Sequence, residues 1–428
     1  MWRRGSEAVT DYSSFMAYKR SVRSLAAATA VGGMLAIAAA ATPGSASAVH
    51  HAARATPDRA TSAQTTARTK ARAQVTTGAA LQKALNQLVA MPYGPPGVIV
   101  IVQHGRRSTV YQAGTASLAD RRPLSTSDHA RLASFDKTYS GAVVLSLVSS
   151  GKLRLSSTIG QVLPALPRAW HPVTLQDVLQ HRSGLPDYTK SKALQERLAR
   201  YPRATILPDQ LLRYVFGKPL QFRPGSRYKY DNSDNVVAAM MAEAVTGRSY
   251  NSLLRTLVYQ PAGLSQTSLP SGFRMPRPYL HGYQLEPGQP PEDVSEALTA
   301  SAAWASGGIV STPAEMNTFI RDYLAPLFFA RQTQAAQLSF VPGNSSPPGP
   351  GTNSVGLAVF KYVTSCGTVY GHTGNTLGYT QFGAATLGGG NSVTVTATEQ
   401  LSTSLHPEVL ALLRQAELLA VCAAMAPR

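Results

Sequence analysis

Acidic side chains are scarce in this chain. It has 22 Asp and Glu against 40 Lys and Arg in 428 residues, a formal charge of +18. Residues 1–48 hold +3 of this and residues 49–77 hold +4, which leaves +11 on residues 78–428. Cysteine is almost missing. Cys366 and Cys422 are the two present, neither has metal-ligand spacing, and no His/Cys cluster stands elsewhere. A thiolate or imidazole metal centre is therefore not expected. There is no internal repeat, which argues against solenoids and propellers. A long, strongly hydrophobic run is also missing. The one candidate, Leu25 to Ala41, is uncharged but dominated by alanine.

That run has the surroundings of an export signal. Met16-Ala17-Tyr18-Lys19-Arg20-Ser21-Val22-Arg23 is a basic stretch before it, and Ala46-Ser47-Ala48 is a small-x-small cleavage site after it. Residues 1–48 are read as a signal peptide, with the start placed at Met16 and a membrane anchor as the alternative. Arg3-Arg4 does not lead into an apolar run, which discounts a twin-arginine signal. Residues 49–77, rich in Ala, Thr and Arg and including His50-His51, read as a disordered basic linker. A secreted, cell-wall-associated protein with a basic surface points to anionic cell-wall polymer as a partner and away from nucleic acid. A solvated basic surface with no specific partner is the bland alternative. Two cysteines in an exported chain suit one Cys366–Cys422 disulfide, with two buried thiols as the other reading.

Folded structure is expected over residues 78–428, enough chain to bury a sizeable core. Leu81, Leu85, Leu88 and Val89 have helical spacing. Gly97–Val102 and Ser108–Ala113 read as a hairpin turning at His104-Gly105-Arg106. Ser134 opens an apolar helix that runs to about Val148 and stops before Gly151. Residues 160–349 are dominated by helical patterns: Leu175–Leu179, Leu211–Phe216, Asn235–Val245, Tyr250–Val258 and Ala314–Leu324. Strands return as Val355–Tyr362, Thr368–Gly371, Tyr379–Ala385 and Val393–Thr398, and a helix from Pro407 to Ala424 closes the chain. The order predicts an α/β (α+β) fold: an antiparallel sheet flanked by helices, built from residues 78–159 and 350–428, with an all-helical region inserted between them.

Three short signatures carry chemistry. In Ser134-Phe135-Asp136-Lys137 a hydroxyl opens a helix, where the dipole favours negative charge, and a lysine lies one turn on along the same face. The other Ser/Lys pairs at this spacing, Ser149/Lys152 and Ser226/Lys229, lie at a helix end and in a turn. Tyr230-Asp231-Asn232 supplies a phenol, a base if cations lower its pKa, and an amide beside it. His372-Thr373-Gly374 supplies a base, a hydroxyl and a residue that permits close backbone approach. Taken singly, each has an ordinary structural reading: a helix N-cap, a buried tyrosine with an asparagine turn, and a hairpin histidine.

Taken together with their order, these stretches resemble the penicillin-recognising serine hydrolases, the group of class C-type β-lactamases and Streptomyces-type D-alanyl-D-alanine carboxypeptidases. Leu132–Thr138 resembles the active-site helix, Val173–Pro186 the structural helix and loop, Trp304-Ala305-Ser306-Gly307-Gly308 the substrate-cleft strand, and Gly371-His372-Thr373-Gly374 the third motif in its carboxypeptidase form. The likeness covers about residues 80–426. It implies Ser134 as nucleophile, Lys137 as its proton partner and Tyr230 as general base and then acid, with His372 supporting Tyr230. It further implies an oxyanion hole from the N–H groups of Ser134 and Asn375. Asn232, Trp304, Thr373 and Gly374 would bind substrate. No metal or organic cofactor is implied, and a monomer acting on a small peptide, ester or β-lactam is expected.

Two positions depart from the pattern. Asp136 places a carboxylate beside Lys137, which should raise the lysine pKa. The arginine that clamps a terminal carboxylate in the carboxypeptidases falls here on Phe360, followed by Lys361. The resemblance thus points first to a D-alanyl-D-alanine carboxypeptidase-like enzyme working through a Ser134 acyl-enzyme. An esterase, a β-lactamase and a non-catalytic penicillin- or cell-wall-binding module remain as alternatives.

Overall fold

The computed structural model describes residues 77–404 and 406–426. The expected signal peptide, the expected start at Met16 and the expected linker lie outside the described residues, apart from Thr77 in the first helix. That helix, α1, covers residues 77–90 and buries Leu81, Leu85 and Leu88.

Strand β1 (Gly97–His104) turns through Gly105, at φ 59°, into β2 (Arg107–Gly114). After a long excursion the chain adds β3 (Val341–Pro342), β4 (Thr352–Val355), β5 (Phe360–Thr364), β6 (Gly367–Thr376), β7 (Tyr379–Ala385) and β8 (Asn391–Ala397). These make one eight-stranded sheet in the order β2-β1-β8-β7-β6-β5-β4-β3, antiparallel at every pairing. The join of the two chain ends is the β1–β8 ladder, which runs from Val98 opposite Ala397 to His104 opposite Asn391.

The central strands are covered on both faces, so apolar residues fill both sides of the pleat. Val98, Val100 and Val102 pack with α1 and with the last helix, α6 (Pro407–Met425), while Ile99 and Ile101 point the other way. On that second face lie helix α2 (Asp136–Ser149), whose side chains are buried nearly all round, and α5 (Pro313–Leu324). Two more helices build the site: α3 (Lys192–Arg200) and α4 (Ser233–Thr246), the latter packed along α2.

The expected sheet from both chain ends is present. The insert, however, is not all helical. Tyr283–Gln284 pairs with Glu292–Asp293, Val310–Ser311 pairs with Ala130–Arg131, and β3 forms one edge of the main sheet. Helix α5 also belongs to the sheet, packing against β7 and β8. The run Val355–Tyr362 is not one strand. Residues 356–359 form a buried turn with Ala358 at φ 52°, whose N–H donates to the Leu179 carbonyl. Cys366, in the β5–β6 turn, is disulfide-bonded to Cys422 on α6.

Candidate active site

Ser134 sits in a short 3₁₀ turn, Ala133–Phe135, that runs directly into α2. The residue before it, Ala133, has φ 51°, a left-handed conformation that costs a non-glycine residue about 1 kcal/mol or more. The turn is held from several sides. Leu132 N–H donates to the Ile309 carbonyl, and Gln381 Nε2 donates to the Arg131 carbonyl at 2.9 Å. Gly374 on β6 presses against it so closely that a Cβ there would stand 2.3 Å from the Leu132 oxygen. Ser134 thus projects from a braced, strained turn rather than from a regular helical position.

Lys137 lies one turn further along, fully buried. Its Nζ contacts Ser134 Oγ at 3.1 Å, Asn232 Oδ1 at 2.8 Å and the Ser306 carbonyl at 2.7 Å. Burial pushes its pKa down to about 8, against the pull of Asp136, Asp187, Asp231 and Asp234. Asp136 pulls the lysine pKa upward, as expected from the sequence, but the net shift is downward because desolvation outweighs that pull. The Asp136 carboxylate accepts the Ile309 N–H at 3.1 Å, and its own pKa is raised by burial to about 7. It therefore fastens the 307–309 turn, whose neighbour Ser306 supplies a carbonyl to Lys137.

Asn232 precedes α4 and is held by its amide nitrogen, which donates to Asp187 Oδ2 at 3.1 Å. That bond turns Oδ1 toward Lys137. Tyr230 is packed between two histidine rings, His181 at 4.6 Å and His372 at 6.2 Å between centroids. Lys137 Nζ lies 5.0 Å from the centre of its ring. Burial raises the phenol pKa well above its usual value, and the nearby Ser134 hydroxyl is the neighbour that favours ionisation. Its hydroxyl is buried with no hydrogen-bond partner within normal geometry. His181 Nδ1 meets Asp234 Oδ2 at 2.9 Å. Burial drives the histidine pKa down to about 3, so the imidazole is neutral and this contact is a hydrogen bond, not an ion pair.

The third signature lies within β6, not between strands. His372 is buried, its Nδ1 set against the Thr373 carbonyl, and burial keeps its ring neutral. Three residues expected to bind substrate do not line the cleft that Ser134 faces. Thr373 is buried and its hydroxyl donates to the Pro347 carbonyl at 2.9 Å. Gly374 accommodates the chain's own nucleophile turn. Trp304 belongs to a 3₁₀ turn, Trp304–Ser306, instead of a cleft strand, and packs edge-on against Tyr250 at 5.2 Å. Phe360 is buried edge-on to His372 at 4.9 Å, and Lys361 Nζ stands 4.9 Å above the Phe340 ring.

Ser134, Tyr230, Asn232, Ser306 and Asn375 line one cleft, which encloses about 840 Å³ including its open mouth. The Asn375 side chain is committed to the Leu401 carbonyl and the Thr380 hydroxyl. The far wall comes from Lys190 and from Leu194 and Leu198 of α3. That wall was missing from the sequence reading. Its signal was weak: two leucines four residues apart among Lys, Arg, Glu and Gln.

A family model described as Beta-lactamase matches residues 79–418. The chain belongs to the Beta-lactamase family. Penicillin-binding proteins are among its relatives. Among curated relatives of this Beta-lactamase-family chain is a D-aminopeptidase of Brucella anthropi, 31% identical over 179 residues, 41% of this chain and 33% of that protein. Another is penicillin-binding protein 4* of Bacillus subtilis (strain 168), 27% identical over 174 residues, 40% of this chain and 37% of that protein. The chain therefore spans about a third of the length of these relatives. Among solved structures, a D-stereospecific amidohydrolase from Streptomyces sp. superposes with a TM-score of 0.68 at 29% identity, covering 75% of this chain and 94% of that one. A D-amino acid amidase from Ochrobactrum anthropi SV3 has a TM-score of 0.70 over 79% of this chain and 97% of its own, at 22% identity, a likeness of fold alone.

Proposed function

We propose that this chain is an exported serine amidohydrolase that cleaves amide bonds on the carbonyl side of D-configured residues. The observation that carries the reading is the Lys137 ammonium site, buried and bonded to Ser134 Oγ, Asn232 Oδ1 and the Ser306 carbonyl. Lys137 in its neutral form takes the Ser134 proton as Oγ attacks the substrate carbonyl. The N–H groups of Ser134 and Asn375 receive the developing oxyanion. The amine leaves with a proton delivered from the Lys137–Tyr230 side, and water then releases the acid from Ser134 by the reverse sequence. His372 and His181 act through Tyr230, as positioning residues.

The D-configuration is supported by the D-stereospecific amidohydrolase, which this chain matches over nearly its whole length. The Cys366–Cys422 disulfide and the basic, alanine-rich leader over residues 16–48 support export. The narrower D-alanyl-D-alanine carboxypeptidase reading requires a cation for the terminal carboxylate, and Phe360 does not provide one.

Two measurements test this. The intact mass of the full chain after brief exposure to a penicillin should rise by one adduct, and Ser134→Ala should abolish it. N-acetyl-D-phenylalanine 4-nitroanilide should be hydrolysed in preference to its L form. An adduct that survives in Ser134→Ala would remove Ser134 as nucleophile. Turnover of esters with none of anilides would make the protein an esterase, and penicillin loss without an adduct a β-lactamase.

A further inference from the structure

We propose that Lys190 anchors a carboxylate on the substrate from the helical wall of the cleft. The proposal rests on the acyl-transfer reading above and adds the substrate's charge to it.

Lys190 ends the 3₁₀ turn Tyr188–Lys190. That turn is fixed: Asp187 accepts the Thr189 N–H at 3.0 Å, and the Lys190 N–H donates to the Asp187 carbonyl at 3.2 Å. The Lys190 side chain lines the same cleft as Ser134 and Tyr230. Among the described residues, no hydrogen bond or ion pair engages its ammonium. Lys137, buried behind the cleft, is already committed to three oxygen atoms. Among the described residues, no carboxylate lines the cleft. On the sheet side the cleft is lined by Asn375 and Thr376, while Phe360 packs against His372 and Lys361 against Phe340, so among the described residues no strand-side cation competes for the role.

The surrounding charge agrees. Residues 190–229 carry ten Lys and Arg against Glu196 and Asp209, a net +8 of the +11 on residues 78–428. Most of the domain's net positive charge therefore lies in the segment that begins at this wall. A cation next to the apolar side chains of Leu194 and Leu198 attracts a carboxylate and repels an ammonium. Substrates with a free ammonium at this end of the cleft are disfavoured. A carboxylate reaches Lys190 from one of two places: the acyl portion, or the departing amino acid.

Two substrate pairs separate these sources. N-succinyl- and N-acetyl-D-phenylalanine 4-nitroanilide differ by a carboxylate on the acyl side. N-acetyl-D-alanyl-D-alanine and its C-terminal amide differ by one on the leaving side. In the full wild-type chain, one pair should favour the carboxylate by about tenfold or more in kcat/KM, the size of a charge-assisted hydrogen bond. In Lys190→Met that ratio should fall close to one, while Lys190→Arg should retain a preference. Penicillin adduct formation on each variant reports whether the Ser134 site is intact. Ratios near one for both pairs in the wild type, or a preference that persists in Lys190→Met, would overturn the assignment. If the wild type forms no Ser134 adduct and turns over none of the four substrates, the acyl-transfer reading itself fails and the Lys190 role falls with it.

Discussion

Lys137 has two neighbours that can only accept hydrogen bonds, Asn232 Oδ1 and the Ser306 carbonyl, and one that can donate, the Ser134 hydroxyl. A neutral amine fits this set: its two hydrogens serve the carbonyls and its lone pair faces the serine proton. With the lysine pKa lowered to about 8, the neutral form is a minor species at pH 7 that grows as pH rises. Acylation of Ser134 by an uncharged substrate should therefore rise with pH to a plateau, with its midpoint near 8. Asp136→Asn tests the electrostatics. It keeps an oxygen for the Ile309 N–H but removes the negative charge that holds the lysine pKa up. The midpoint should move to lower pH. A profile that moves up, or does not move, would place the controlling base elsewhere, with Tyr230 the next candidate.

Among elements, β6 and the start of α2 are the pair that decides the geometry. They meet where Gly374 faces the Leu132 carbonyl, with 2.3 Å between that oxygen and any added Cβ. Both are main-chain elements, so neither yields as a flexible side chain would. Gly374→Ala should push the nucleophile turn off β6 and cut kcat/KM by about a hundredfold, the scale of a displacement near 1 Å. It should also lower the melting temperature. Activity and melting temperature both near wild type would mean that the turn moves freely. This contact shows what could be read from the chain and what could not. Ser134 and Lys137 were legible because their spacing places them on one helix face. The sheet from both chain ends was legible from alternating and continuous apolar runs. Gly374 was legible as a close approach, but its contact with the Leu132 carbonyl was not, because that residue lies 242 positions earlier. Asp136 read as an electrostatic anomaly for the same reason, since its partner is the main chain of Ile309. Residues 355–362 read as one strand because a buried turn and a buried strand share the same apolar composition.

At the scale of the whole molecule, the fold depends on keeping its two chain ends together. Helix α6, from the C-terminal end, packs on β1 from the N-terminal end and on β8 beside it. The disulfide ties α6 to the turn that leads into β6, closing a loop with a sequence separation of 56. Other contacts hold the same helix end: His104 Nδ1 lies 3.1 Å from the Ala424 carbonyl, and Met425 covers Gly367. Reduction should therefore leave the native packing largely in place and act mainly by freeing the unfolded chain. For a loop of that length, the chain-entropy model puts the loss at about 4 kcal/mol. At about 2 °C per kcal/mol for a domain larger than 150 residues, Cys366→Ser/Cys422→Ser should melt roughly 8 °C below the oxidised protein. Calorimetry of the oxidised protein, the same protein in reductant and the double variant checks this. The last two should melt together and below the first. If all three coincide, the non-covalent contacts of α6 with β1 and β8 hold the chain ends together without help from the bridge.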